Sequence, residues 1–242
     1  MYHSISNAAG PTSISPDTFK AQIELLAECG YRTIGLDAFK EWTEREVDLT
    51  ARCVVLTFDD GFADFEECAF PILKTHNFTA TVFLPSGCIG STENWDRSSQ
   101  GLQRRLMSWS QVTALASEKI DFGGHSVTHS DLTKLSHGEL EREIRQCRDD
   151  IAHRLGRAPL AFAPPYGHTR QRERNEIRKW FRLSLGTRLA RATRQCDPFE
   201  IPRIEMHYFR DRLRWRHYLQ GTGEWYFRAR RTLRSLKDLA TV

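Results

Sequence analysis

The stretch Val54-Val55-Leu56-Thr57-Phe58-Asp59-Asp60-Gly61 decides the fold, because an apolar, β-branched run stops abruptly at two carboxylates and a glycine. A run of that kind suits a short strand buried on both faces, as in a parallel sheet, better than the alternating pattern of a half-exposed antiparallel strand. Gly61 permits a sharp exit, so Asp59 and Asp60 are predicted to stand at the strand's C-terminal end.

The same rhythm continues outward in both directions. Residues 62–76 carry helical spacing at Phe65, Ala69, Ile72 and Leu73, with Pro71 as a kink or break, and residues 79–84 (TATVFL) read as the next strand. Ser110 is placed as the cap of a helix running to Lys119, followed by a short strand at Ile120-Asp121-Phe122. Residues 136–155 form the clearest helix. Ser136 and Glu139 make a capping box there, and Leu140, Ile144, Cys147, Ile151 and Leu155 make its apolar stripe. Strands are further expected at residues 160–163, 181–185 and 201–206, and a helix and strand at 19–29 and 31–36. Repeated βα units imply a parallel sheet or barrel whose functional loops gather at the C-terminal strand ends.

Composition sets the outer bounds. A chain of 242 residues with 40% hydrophobic residues, 9 Pro and 15 Gly is expected to fold as a globule. No apolar run reaches the length of a membrane span, and the first residues lack the basic flank and apolar core of a signal peptide, so a soluble, cytoplasmic chain is expected. The six cysteines (Cys29, Cys53, Cys68, Cys88, Cys147, Cys196) show no CxxC spacing and are read as reduced. Charge is uneven: residues 209–242 hold nine Lys/Arg against three acids, leaving −2 on the rest of a chain whose net charge is +4. The division expected is a catalytic domain over 1–208 and a basic, helical C-terminal extension over 209–242. The extension either meets a membrane surface or anionic polymer, or packs on the body through Trp225, Phe227, Leu233 and Leu236. No recognition motif accompanies the basic residues, so nucleic-acid binding is not expected.

His125-Ser126-Val127-Thr128-His129 follows a second strand end, and Pro164-Pro165-Tyr166-Gly167 a third. An Asp-Asp-Gly alone is often a turn, and two histidines four apart are often surface residues of a helix. Together, at strand ends, they supply two imidazoles and a carboxylate for one divalent cation and leave a second carboxylate free as a base.

These motifs, TFDDG at 57–61, HSVTH at 125–129 and PPYG at 164–167, resemble in order and spacing the first three motifs of the polysaccharide deacetylases, carbohydrate esterase family 4. The similarity extends over roughly residues 1–207, and looks closest to the branch acting on exopolysaccharides such as poly-N-acetylglucosamine. The resemblance implies an α/β fold, a distorted (β/α)7 barrel, and metal-dependent removal of N-acetyl groups from an amino-sugar polymer or its precursor. It assigns Asp59 as catalytic base and Asp60, His125 and His129 as ligands of a divalent metal, zinc first, with cobalt, manganese, nickel or iron(II) as alternatives. It nominates the Tyr166 backbone N–H for the oxyanion. The acid resembles a histidine on the first strand, which is His3 here, with His207 as the second choice. One departure is Ala163, where the third motif often begins with an arginine that orients the base; Arg203 is the candidate substitute, weighed evenly against a structural ion-pair role. Competing readings are a catalytically silent carbohydrate-binding protein, and an iron oxygenase with a two-histidine, one-carboxylate site. Trp95, Trp109, Trp180 and Trp215 are candidate sugar platforms, with Trp109 and Trp180 favoured as core.

Overall fold

Ser15 opens the first helix by accepting the Thr18 N–H, with Pro16 already shaped for the first turn. In the computed structural model, which describes residues 1–45, 48–49, 52–95 and 103–222, that helix is α1 (Pro16–Glu28). It leads to β1 (Arg32–Thr33), α2 (Leu36–Glu44), β2 (Cys53–Val54) and β3 (Thr57–Phe58). The run expected as one strand at 54–58 is therefore two. Its first part pairs with β1, and only its second joins the main sheet.

After a π-helical turn at Phe65–Ala69, α3 (Phe70–Thr75) carries Pro71 in its first turn, where the missing N–H costs no hydrogen bond, so the expected kink becomes a helix start. Then come β4 (Ala80–Leu84), α4 (Trp109–Ala116), β5 (Ile120–Gly124), α5 (His137–Leu155), β6 (Ala161–Phe162), α6 (Gln171–Trp180), β7 (Leu183–Leu189), β8 (Ile201–Arg203) and α7 (Arg212–Leu219). The cap of α4 is Ser108, not Ser110: its hydroxyl accepts the Gln111 N–H while the Gln111 side chain returns to the Ser108 N–H. The Ser136–Glu139 capping box of α5 forms as expected.

Strands β3 to β8 pair in sequence order, all parallel. The chain's first residues close the ring. The Met1 amino group donates to the Ile204 carbonyl at 2.7 Å and the Met206 N–H donates to the Met1 carbonyl at 3.1 Å. On the other side the Tyr2 N–H donates to Thr57 at 2.8 Å and the Asp59 N–H to Tyr2 at 3.0 Å. With this seventh stave the sheet is the expected distorted (β/α)7 barrel.

Alternation along the strands sorts side chains to two faces. Phe58, Val82, Leu84, Ile120 and Phe122 face the helices, while Phe83, Ala161, Ala163, Leu183, Leu185 and Ile201 fill the lumen. Leu36 and Phe39 of α2 join the inner group and close the end at which the strands begin. The opposite end is left for loops. Of the basic segment, Asp211 caps α7, and Trp215 and Tyr218 bury against α1, with Trp215 Nε1 donating to the Gln22 carbonyl at 3.2 Å. Residues 223–242, with Trp225, Phe227, Leu233 and Leu236, lie outside the described residues. All six cysteines are free thiols. Among the described residues, no helix is long and apolar enough to cross a membrane.

Candidate active site

Asp59 leaves β3 on the lumen side, two residues beyond Thr57, and is 4% exposed. Arg203 of β8 meets it edge on: Nη1 donates to Oδ1 at 2.7 Å and Nη2 to Oδ2 at 2.8 Å. The guanidinium is itself fixed, since Nε donates to the Gly186 carbonyl at 2.9 Å and the group lies 5.7 Å from the centre of the Phe83 ring. Burial alone would raise the Asp59 pKa, but the Arg203 charge and hydrogen bonds outweigh it and hold the carboxyl below its ordinary value. The cation that the third motif lacks at Ala163 thus arrives from a different strand, β8.

Asp60 turns the other way, and its backbone shows how. Its φ is +73° and that of Gly61 is +69°, so the chain reverses sharply, and a Cβ on Gly61 would lie 2.9 Å from Leu84 Cδ2. Ser126, His129 and Tyr166 also have positive φ, so among the described residues four of the six non-glycine residues in that region belong to the three motif loops. Backbone held in sparsely populated conformations is a mark of functional sites.

The His125–His129 segment is a loop after β5, not a helix. The His125 N–H donates to the Leu84 carbonyl, and the buried Glu143 carboxylate on α5 accepts the Val127 and Thr128 N–H groups at 2.9 Å each and the Thr128 hydroxyl at 3.0 Å. Both imidazoles then present Nε2 to one oxygen, Asp60 Oδ1, at 3.1 Å. Among the described residues these three form the group able to hold a metal, with donor atoms within 4.8 Å of one another and all buried. His125 Nδ1 lies 2.5 Å from the Ala163 carbonyl and must donate to it. A neutral His125 therefore aims a lone pair at a carboxylate oxygen, which a cation between them satisfies. The donor set fits a divalent ion. Without one, mutual stabilisation shifts the charges: histidine hydrogen bonds overcome burial and hold Asp60 well below the usual carboxylate range. His125 is raised because Asp60 and Asp59 outweigh its burial, whereas His129 is lowered by burial.

Against known proteins, residues 46–180 match the family profile described as polysaccharide deacetylase. The chain belongs to the polysaccharide deacetylase family. Membership makes it a carbohydrate N-deacetylase, a hydrolase of amide C–N bonds in a metal-dependent family. It is 26% identical over 209 residues to the poly-β-1,6-N-acetyl-D-glucosamine N-deacetylase of Staphylococcus epidermidis, covering 79% of this chain and 67% of that one. It is 31% identical over 115 residues to a peptidoglycan-N-acetylglucosamine deacetylase of Bacillus cereus, covering 47% of this chain but only 36% of that enzyme. Its fold is shared with IcaB from Ammonifex degensii at a TM-score of 0.75 and 22% identity, over 92% of this chain and 94% of that one.

Tyr2 stacks on Phe58 at 5.1 Å and meets Phe19 edge on, so it faces the helices. Tyr2 bridges Phe58 in parallel, so strand alternation puts His3 on the lumen side with Asp59. The Asp64 carboxylate fixes this segment by accepting the Ile5 N–H at 2.9 Å and the Ser4 hydroxyl at 2.5 Å. His207 lies on the 3-10 turn Met206–Phe209, its ring edge-on to Tyr208. Tyr166 is 48% exposed, with its ring edge-on to His129 at 5.0 Å. The loop stays tight because a Cβ on Gly167 (φ +71°) would strike Thr187 at 2.2 Å. Trp95 comes to the site, stacked on His129, while Trp109 and Trp180 are partly buried against core clusters and Trp215 is buried. Glu143 was missed by sequence reasoning, though a carboxylate beside Ile144 in the stripe of α5 was a usable signal.

Proposed function

We propose that this deacetylase removes N-acetyl groups from a polymer or oligomer of N-acetylglucosamine of the exopolysaccharide kind, with zinc as its metal. The observation that carries the mechanism is the separation of two adjacent carboxylates, Asp59 committed to Arg203 and Asp60 to the two imidazoles. A cation held by Asp60, His125 and His129 would supply Lewis acidity, acidifying water and polarising the acetyl carbonyl.

Asp59 accepts the proton of the attacking water. Arg203 keeps it ionised and aims it, so the base is always ready but intrinsically weak, and it depends on an acidified water to complete the transfer. The Tyr166 N–H faces the developing oxyanion. His3, on the lumen side beside Asp59, protonates the departing amine. The polymer class is supported by the relative with the longer match, the staphylococcal poly-β-1,6-linked enzyme.

The test is acetate release by the metal-reconstituted chain from acetylated β-1,6-linked glucosamine oligomers, β-1,4-linked chito-oligomers and peptidoglycan fragments. Faster turnover of the β-1,6 series is expected. Preference for either of the other two overturns the polymer assignment, and no acetate from any substrate overturns the function.

A further inference from the structure

The two histidines of the donor triad are held in different ways. His125 has the usual support of a metal-ligating imidazole, a carbonyl at Nδ1. His129 Nδ1 is buried and has no hydrogen-bond partner among the described residues. What touches this ring instead is aromatic: Trp95 lies parallel to it, centroids 4.1 Å apart and planes 17° from parallel, and Tyr166 closes one edge.

Trp95 is not delivered there by chance of a loose loop. Two residues earlier, Glu93 is 2% exposed and pairs with Arg104 through both oxygens, at 2.6 and 2.7 Å. Arg104 also donates to the hydroxyls of Thr12 and Ser13 at 3.1 Å each and stacks over Phe62 at 4.1 Å. The Glu93 N–H donates to the Arg104 carbonyl at 2.9 Å, and Thr92 bridges Arg105 in antiparallel fashion. Both ends of the loop after β4 are thereby clamped, and the indole is presented over the imidazole.

We infer that Trp95 is a positioning residue: its stacked ring fixes the orientation of His129 in place of the missing Nδ1 partner, and so sets the metal affinity of the site. This rests on the metal-binding reading above. It also places the control of one ligand on the loop after β4 rather than on the barrel.

The experiment measures the zinc and cobalt dissociation constants of the full chain by chelator competition, for the wild type, Trp95→Ala and Trp95→Phe. A stacked aromatic pair worth about 0.5–1.5 kcal/mol corresponds to a roughly 2- to 13-fold change in affinity. Trp95→Ala is expected to weaken metal binding by that factor and to alter the visible spectrum of the cobalt form. Trp95→Phe, which keeps a ring, is expected to restore most of both. The thermal midpoint of the metal-free protein should be the same in all three. Unchanged affinity in Trp95→Ala, with a wild type that binds metal, overturns the inference alone. Equal loss in both variants together with a lowered metal-free midpoint also overturns it, since that is general destabilisation. A wild type that takes up no metal overturns the metal reading and this inference with it.

Discussion

Replacing Arg203 by methionine removes the guanidinium that faces both oxygens of Asp59 while keeping a side chain long enough to fill its place in the lumen. Two unit charges with centres about 4 Å apart attract by ~4 kcal/mol at an effective dielectric of about 20. At about 1.36 kcal/mol per pKa unit this allows up to ~3 units, the upper end of what an adjacent arginine does to a carboxylate. In the wild type Asp59 lies below its ordinary value. Its contribution to stability is therefore complete above the ordinary carboxylate range and is lost as the pH falls through and below it. In Arg203→Met the sign reverses, because a buried carboxylate without a counter-charge prefers its proton. The variant should be about 3–5 kcal/mol less stable at neutral pH, and that deficit should shrink in acid, where Asp59 is neutral. The acidic limb of kcat/KM should move up by ~1–3 pH units. Arg203→Lys keeps a charge but loses the two-pronged contact, and should fall between. Acetate release from about pH 5 to about pH 9, with thermal unfolding at both ends, decides the matter. An unmoved acidic limb in a fully stable Arg203→Met protein would refute the reasoning.

Other outcomes follow from the same geometry. Asp59→Asn should lower acetate release at least about 100-fold while metal uptake stays within a few-fold, since Asp59 is not among the three donors; parallel loss of both would reassign Asp59 as a ligand. His3→Gln should lower kcat by about 10²- to 10⁴-fold, with His207→Gln leaving kcat within a few-fold. If His207→Gln carries the large loss instead, the acid is His207. Glu143→Gln keeps one acceptor for the Val127 and Thr128 N–H groups but weakens the contacts from charged to neutral, costing about 1–2 kcal/mol. Unfolding and metal titration should both register it, and a change in neither would show the loop to be held elsewhere.

What could be read from the sequence was whatever one segment states by itself. Two carboxylates after an apolar run, two histidines after another and a Ser-x-x-Glu cap before a long apolar stripe each carry a local physical signature, and each landed where expected. The structure departs where the cause is distant. The strand at 54–58 breaks because its two halves find different neighbours, β1 and β4. Helix α2 escaped notice because Gly35 gives it no side-chain cap. α6 escaped because its buried face includes Glu173 and Glu176, so no apolar stripe announces it. Arg203 is 144 residues from Asp59, and no periodicity records such a pair. Trp95 reads as an isolated aromatic until the Glu93–Arg104 clamp shows where it is held.

The seventh stave has a consequence for how the chain reaches its native state. The bond that joins Met1 to Ile204 spans a sequence separation of 203 residues. Closing a loop of that length costs on the order of 4–5 kcal/mol of chain entropy before any contact repays it. During synthesis residues 1–4 can pair with β3 as soon as it emerges, but their far edge must wait unpaired for β8, the kind of surface on which strands of other chains add. Folding is therefore expected to be slow and governed by this late closure. The segment that carries His3 is held early, by β3 and Asp64; what arrives with the last strand is Arg203, so the aiming of Asp59 and completion of the ring come in the same step.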